Sequence, residues 1–315
     1  MNLISAVYQK ENFLSRRQRA DVLNSTLDET KKTKMLQNLS FLENQQINIM
    51  ITGAGKSSTI NALFDANVAN VGTGVDPETM NIKWYKLKNL ILWDTPGLGD
   101  GAEADARHAK NIVKKLNELD ANGNPLIDLV LVILDSSSRD LGTSYDLINN
   151  VIIPNLGGKT DRISVAINQA DVAMKGKHWN HEKNQPDFTL TKFLDEKVDS
   201  VRRRIREATG VDIEPIYYSA GYKESETAKQ NPYNLSKLLY YIIEHTPKEK
   251  RLVYVDNISK DYSKAIGGSL SKAVEYAGKG ALTGQAIGSI FGPTGAAIGR
   301  IAGGITGGIF GWLFG

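Results

Sequence analysis

"NIMITGAGKSSTINALFD", residues 48–65, is the stretch that decides the fold. An apolar run predicts a strand up to Ile51, and "SSTINALF" predicts a helix that begins near Ser57. Gly55-Lys56-Ser57 between them fits the second half of the phosphate-binding pattern G-x-x-x-x-G-K-[ST]. In that pattern the N–H groups at the helix N-terminus meet phosphate oxygens, Lys56 reaches the β- and γ-phosphates, and the Ser57 hydroxyl binds Mg²⁺.

The first half of the pattern is missing. Counting back from Gly55 places Met50 where the first glycine belongs, and a methionine is sterically poor where φ must be positive. A loop this short offers few N–H donors to a β-phosphate unless the strand frays and lends Met50 and Ile51. The sequence therefore leaves open whether this site binds nucleotide well or keeps only the fold.

Two further segments supply phosphate and metal chemistry. In "LWDTPG", residues 92–97, Asp94 can hold a metal ion through water and the Gly97 N–H can meet the γ-phosphate. In "DPETM", residues 76–80, Thr79 offers a hydroxyl that could complete the metal shell. The predicted Mg²⁺ ligands are therefore Ser57, Thr79 and Asp94, partly through water. Thr79 and Lys56 would also support a transition state, but the sequence assigns no catalytic residue.

Two more segments fit a guanine base. In "VAINQAD", residues 165–171, Asn168 can brace the loop and the Asp171 carboxylate can accept from guanine N1–H and the 2-amino group. In "YYSAG", residues 217–221, Ser219-Ala220 can present an N–H to guanine O6. The full predicted nucleotide-binding set is Gly53, Ala54, Gly55, Lys56, Ser57, Ser58, Gly97, Asn168, Gln169, Asp171, Ser219 and Ala220.

Residues 45–247 alternate short apolar runs with helical stretches, a pattern typical of an α/β fold with a doubly wound, mostly parallel sheet. The expected strands are 47–51, 82–85, 90–93, 129–134, 163–167 and 216–218, and the expected helices begin near 57, 105, 144, 192 and 234. In such folds ligands bind at the carboxyl ends of the strands.

With "GKSSTINALF" and "DTPGLGD", the chain resembles translation-factor-class P-loop GTPases, in particular the Era-like branch encoded by bacteria and prophages. The resemblance covers about 45–247 and implies a six-stranded sheet, GTP or GDP with Mg²⁺, and loops that become ordered on the γ-phosphate. It supports the roles given above for Lys56, Ser57, Thr79, Asp94, Gly97, Asn168, Asp171 and Ser219.

The chain departs from this family at three points. Family members read like "GATGAGKSS", so three residues are missing before Gly53. Gln169 stands where lysine is usual, although its aliphatic stem can still lie on the base. Leu98 follows Gly97 at the position where some GTPases have a glutamine that orients the attacking water. Gly53 occupies the position where some related GTPases have an asparagine that places a K⁺ ion. We therefore expect a GTPase whose hydrolysis is slow and depends on a partner or a second copy.

Two flanking regions differ in composition. Residues 1–44 are polar with scattered apolar positions, which predicts a helical extension. Residues 248–315 predict an amphipathic helix and then a glycine-zipper hairpin, because glycine recurs every fourth residue on both sides of "GPTG" at 292–295. The second leg, 295–315, would be about 31 Å long, close to a bilayer's hydrocarbon thickness.

The tail therefore predicts membrane contact through 280–315 on a cytoplasmic protein, alone or as a homo-oligomer, while a hairpin packed on protein remains the alternative. The lack of cysteine excludes disulfide and thiol chemistry, and a formal net charge of +3 does not favour nucleic acid as a partner. "HWNH", residues 178–181, predicts no metal site beyond Mg²⁺. The leading hypothesis is a GTP-binding switch; a pseudo-GTPase scaffold or pore-forming protein and a soluble ribosome-associated GTPase are the alternatives.

Overall fold

A six-stranded sheet forms the centre of the part of the chain that the structure describes. This computed structural model describes residues 45–64, 82–87, 89–223 and 229–247, with isolated positions 23, 24, 28–30, 32, 33, 36 and 250. The strands are β1 (Ile47–Gly53), β2 (Lys83–Lys86), β3 (Leu90–Asp94), β4 (Leu129–Asp135), β5 (Ile163–Asn168), β6 (Trp179–Asn180), β7 (Gln185–Pro186), β8 (Ile216–Tyr217), β9 (Tyr222–Lys223) and β10 (Lys229–Gln230).

The order across the main sheet is β2-β3-β1-β4-β5-β8. All neighbours are parallel except β2 and β3, which pair antiparallel. The carboxyl ends of β1, β3, β4, β5 and β8 consequently lie at one edge, so the segments that follow these strands are brought together there. The predicted α/β class and six-stranded, mostly parallel sheet are confirmed.

Five helices cover the faces of the sheet within the described residues. They are α1 (Lys56–Leu63), α2 (Ala102–Leu116), α3 (Gly142–Asp146), α4 (Phe188–Thr209) and α5 (Leu235–Glu244). A π-helical turn, Leu147–Ile152, continues α3, and short 3₁₀ turns span Ile153–Asn155, Thr160–Arg162 and Ala173–Gly176. The helix starts predicted near 57, 144 and 234 agree to within two residues, whereas α2 and α4 begin three and four residues earlier than predicted.

The alternation of side chains along β4 divides the core into two layers. Leu129, Leu131 and Ile133 face the layer covered by α1 and α5, whereas Val130 and Val132 face the layer covered by α2, α3 and α4. All of these side chains are buried, as expected for a strand with helices on both faces. This double cover fixes the strand register and therefore the position of the site at the carboxyl edge.

The long polar connection after β5 contains a small appendage. β6 and β7 form an antiparallel hairpin whose Trp179 is buried against α4 residues Leu190 and Leu194. Asp187 caps α4, since its carboxylate accepts from the Leu190 N–H at 2.9 Å and from the His178 ring at 2.8 Å. His178, the first residue of "HWNH", therefore supports the residue that caps the N-terminus of α4.

Most of the predicted N-terminal extension 1–44 and nearly all of the predicted tail 248–315 lie outside the described residues, as do Thr79 and the whole segment 65–81. Among the described helices, none combines the length and apolar character needed to cross a membrane.

Candidate functional site

The phosphate end of the site is a two-residue turn between β1 and α1. β1 does not fray: Met50 and Ile51 are buried and pair with both neighbouring strands, and pairing continues to Gly53 opposite Ile133. The Ala54 N–H then donates to the Ile133 carbonyl at 2.9 Å. The possibility that the strand lends Met50 and Ile51 to the loop is therefore wrong, because both belong to the centre of the sheet.

Two glycines make this tight turn possible. Gly53 has φ +99°, and a Cβ there would lie 1.9 Å from the Ile133 carbonyl oxygen. Gly55 has φ +76°, and a Cβ there would lie 2.3 Å from Asn168 Nδ2. A side chain at either position would be strained and would collide, so both glycines are required by the turn itself.

The donors left for an anion are those at the start of α1. The first helical hydrogen bond runs from Thr59 N–H to the Gly55 carbonyl at 3.0 Å. The N–H groups of Lys56, Ser57 and Ser58 precede that bond, and the helix N-terminus carries partial positive charge. The N–H donors at the start of α1 are thus available to a phosphate group, whereas the Ala54 N–H is used in a hydrogen bond to the sheet.

Lys56 and Asp94 bring the phosphate and metal segments together. The Lys56 ammonium lies 3.6 Å from Asp94 Oδ1 and donates to the Gly53 carbonyl at 3.3 Å. Both side chains are largely buried, at 17% and 9% exposure. Thr95 fixes Asp94 next to β1, since its N–H and its hydroxyl both donate to the Ile51 carbonyl, at 3.0 and 3.2 Å.

The loop after Asp94, residues 95–101, is held by the first turns of α2. The Asp105 carboxylate accepts from the Gly99 N–H at 2.8 Å and the Asp100 N–H at 3.1 Å. His108 is buried, and its Nδ1 lies 3.1 Å from the Gly97 carbonyl. Neither residue was predicted from the sequence, where they read as ordinary positions of a polar helix.

Asn168 is the centre of the predicted base-binding end. Its Oδ1 accepts from the Gln169 N–H at 2.8 Å and the Ala220 N–H at 3.1 Å, while its Nδ2 lies against Gly55. One buried amide therefore joins the β1–α1 turn, the end of β5 and the segment after β8. These contacts are of the kind that the predicted bracing function of Asn168 requires.

The other base-end residues lie at the same edge. Asp171 is largely buried in the segment that follows β5, and Gln169 has φ +64°. Ser219 forms a backbone bridge with Tyr233, and its hydroxyl accepts from the Gly221 N–H at 3.2 Å. An N–H from Ser219-Ala220 was predicted to meet guanine O6. The Ser219 N–H donates to the Tyr233 carbonyl at 3.0 Å and the Ala220 N–H donates to Asn168 Oδ1 at 3.1 Å, so a base would share one of these donors.

Lys197 is a further supporting residue that the sequence did not reveal. Its ammonium donates to the carbonyls of Asp135, Ser136 and Ser138, at 3.2, 2.6 and 2.8 Å. Burial lowers the pKa of Lys197, partly offset by the Asp135 carboxylate. The clamped loop supports the base end, because the Ser136 N–H donates to the Asn168 carbonyl at 3.0 Å.

A buried hydrogen bond connects α1 to the segment after β8. The Tyr218 hydroxyl lies 2.6 Å from Thr59 Oγ1, and Thr59 Oγ1 also donates to the Gly55 carbonyl at 2.8 Å. Tyr218 is fully buried, and burial raises the pKa of its phenol. The phosphate-side helix and the base-side segment are therefore coupled through the interior as well as through Asn168.

These residues suit a nucleoside phosphate and Mg²⁺. A helix N-terminus and Lys56 are complementary to phosphate oxygens, and Ser57 with Asp94 supplies hard oxygen ligands of the kind Mg²⁺ prefers. Among the described residues, no three histidine, aspartate or glutamate side chains cluster in a way that could hold a metal ion by themselves. The crowding at Gly53 and Gly55 is the feature that argues against a full phosphate cradle.

Comparison with known proteins agrees with this geometry. Residues 48–169 match the family model described as "50S ribosome-binding GTPase". Two chloroplast translocases of Physcomitrium patens, 125 and 126, are 34% and 33% identical over 97 residues. Each of those matches covers 29% of this chain and 8% of the relative, so the chain corresponds to a small part of those proteins.

Among solved structures, similar chains include a Toc33 variant from Arabidopsis thaliana, with 16% identity and a TM-score of 0.45 over 74% of this chain and 96% of that one. LeoA, a bacterial dynamin GTPase from ETEC, has 14% identity and a TM-score of 0.41 over 95% of this chain and 46% of that one. The sheet order, the sequence motifs and the family match over residues 48–169 are together typical of a P-loop GTPase domain.

Proposed function

We propose that this protein is a GTP-binding switch whose nucleotide lies along the carboxyl edge of the sheet. The observation that carries the proposal is the position of Asn168, which contacts the phosphate turn at Gly55 and the base segment at Ala220. The pairing of Lys56 with Asp94 supplies the charged groups that a Mg²⁺-nucleotide needs at the phosphate end.

At the phosphate end, the N–H groups of Lys56, Ser57 and Ser58 bind the phosphate chain. The Lys56 ammonium moves from the Gly53 carbonyl to the β- and γ-phosphate oxygens. Ser57, and Asp94 through water, would hold Mg²⁺, with Thr79 as a further ligand from outside the described residues. A metal ion held there would supply positive charge beside the phosphate oxygens.

At the base end, the Asp171 carboxylate accepts from guanine N1–H and the 2-amino group. Adenine offers no such pair of donors, so Asp171 gives the preference for guanine. Ala220 N–H and Asn168 define the O6 side, and the stem of Gln169 covers the base. Hydrolysis is slow because Leu98 cannot orient water, and a group supplied by a partner or a second copy accelerates it.

A second candidate is a pseudo-GTPase that keeps the fold without tight binding. Two observations favour it: the Ala54 N–H is committed to Ile133, and Gly55 is crowded by the Asn168 amide. On this view the domain is a scaffold for the segments on either side of it.

Nucleotide titration distinguishes the two candidates. The wild-type chain is titrated with a fluorescent GTP analogue and Mg²⁺, with unlabelled GTP and ATP as competitors. A second chain carries Gly-Ala-Thr inserted after Thr52, which completes G-x-x-x-x-G-K-S, and a matched control carries Ala-Ala-Thr there. Saturable binding by the wild type that GTP but not ATP displaces supports the switch. Binding by the Gly-Ala-Thr chain alone supports the pseudo-GTPase, and binding by neither chain contradicts the switch.

We also propose that the glycine-repeat segment 280–315 contacts membranes, which makes the protein membrane-associated on the cytoplasmic side. The support is compositional: glycine every fourth residue with apolar residues between, and Arg300 as the only charge from 280 to 315. Carbonate extraction of membranes from expressing cells tests this, with a chain ending at residue 279 as the control. Complete release of the full chain would contradict membrane insertion.

A further inference from the structure

The segment from Gly97 to Gly101 has almost no steric support of its own. Gly99 and Gly101 have φ +128° and +102°, and a Cβ added at Gly97, Gly99 or Gly101 would meet nothing within 4 Å. Packing therefore does not select the backbone conformation of these glycines, although Leu98 contacts the apolar layer beneath. Something else must hold the peptide groups in place.

Two side chains of α2 provide that support. Asp105 Oδ1 accepts from the N–H groups of Gly99 and Asp100, and His108 Nδ1 contacts the Gly97 carbonyl. A carbonyl can only accept, so the proton of this hydrogen bond lies on His108 Nδ1. The peptide groups that follow Gly97, Leu98 and Gly99 therefore each form a hydrogen bond with a side chain of α2.

The two contacts differ in their surroundings. The Asp105 contacts are solvent-exposed, whereas the His108 side chain is 6% exposed and also lies 3.9 Å from Asp100 Oδ2. The His108–Gly97 hydrogen bond is partly buried, so water replaces its donor less readily than it replaces the exposed Asp105 contacts. His108 is therefore the stronger of the two restraints on this segment.

We propose that His108 is a positioning residue that sets the preference of the site for a nucleoside triphosphate over a diphosphate. It holds the Gly97 carbonyl, and this fixes the residue whose N–H meets the γ-phosphate. The inference rests on the proposed function, since it concerns regulation of the same nucleotide site. His108 does not touch the nucleotide, so only contacts that require the γ-phosphate should depend on it.

The test is the ratio of two affinities, measured for a non-hydrolysable GTP analogue and for GDP with Mg²⁺. His108→Leu keeps an apolar side chain of similar size without a donor, and His108→Asn restores an N–H at a position similar to Nδ1. Lys110→Leu makes the matched change on the exposed face of the same helix. Thermal unfolding of each variant confirms that it is folded.

We expect His108→Leu to lower the preference for the triphosphate analogue about tenfold, the scale of one hydrogen bond, with GDP affinity within about twofold of wild type. His108→Asn should recover most of the preference, and Lys110→Leu should keep all of it. Equal weakening of both nucleotides, an unchanged ratio, or no rescue by asparagine would overturn the inference while leaving the proposed function intact. A wild-type chain that binds neither nucleotide would overturn both.

Discussion

The Thr59–Tyr218 hydrogen bond gives a quantitative prediction for the interior of the site. Thr59 has one hydroxyl proton, which it donates to the Gly55 carbonyl, so the Tyr218 hydroxyl must donate to Thr59 Oγ1. The two partners are therefore unequal. Removing the tyrosine hydroxyl takes away a donor, whereas removing the threonine hydroxyl leaves a fully buried phenol without an acceptor.

The expected free energies of unfolding follow from this asymmetry. Tyr218→Phe should destabilise by about 1 kcal/mol, the net value of one neutral hydrogen bond. Thr59→Val should cost about 2–3 kcal/mol, because a buried hydroxyl is left unsatisfied and the Gly55 carbonyl loses a donor. The double variant should cost about 2 kcal/mol, less than the sum by about 1–2 kcal/mol, since phenylalanine needs no acceptor.

Urea denaturation of the four chains, followed by circular dichroism, measures these values, and equal m-values show that the unfolded states are comparable. The reasoning is refuted if Tyr218→Phe costs as much as Thr59→Val, or if the two changes are additive. Either result would mean that the phenol has another acceptor or that Thr59 does not donate to Gly55.

Three further predictions concern the base, the turn and the pH dependence. Asp171→Asn should bind xanthosine triphosphate at least about tenfold more tightly than GTP, because the asparagine amide presents a donor to the oxygen that xanthine has in place of the guanine 2-amino group. Competition binding measures this preference, and an unchanged preference for GTP would show that Asp171 does not contact the base. Thr52→Val should stabilise by about 1 kcal/mol in urea, since the fully buried Thr52 hydroxyl has no partner in the described part of the chain, and a loss of stability would contradict this. Burial raises the pKa of Tyr241 to about 12, against about 10 when unfolded, so its contribution is complete below pH 10 and is lost as the pH rises towards 12. Over that window the free energy of unfolding of wild type should accordingly fall by about 3 kcal/mol relative to that of Tyr241→Phe, and parallel curves would show that the phenol ionises normally.

The strands were the most predictable part of the chain. Runs such as 129–134 are apolar throughout and rich in branched residues, and this pattern marks a strand covered on both faces. The convergence of the motif segments was predictable as well, since parallel strands bring their carboxyl ends to one edge regardless of the loops between them. Lys56 and Asp94 accordingly lie 3.6 Å apart although 38 positions separate them in the chain.

The supporting contacts could not be predicted in the same way. Lys197 and His108 lie on amphipathic helices, where a charged or polar residue is ordinary, and their partners are backbone carbonyls that leave no mark on the sequence. The behaviour of the shortened turn also depended on a long-range contact. Whether β1 would fray was decided by Ile133, whose carbonyl accepts the Ala54 N–H and keeps the strand paired to its end.

That contact has a consequence for how the cleft can adapt. The β1–α1 turn is hydrogen-bonded to the sheet on one side and lies against the Asn168 amide on the other, and only two residues, Ala54 and Gly55, connect the strand to the helix. Within the described residues, accommodation of a ligand is therefore expected from the opposite wall, where no neighbouring atom lies within 4 Å of a Cβ added at Gly97, Gly99 or Gly101 and the backbone is held by hydrogen bonds to α2. In this part of the chain the β1–α1 turn is the rigid wall of the cleft and segment 97–101 is the adaptable one.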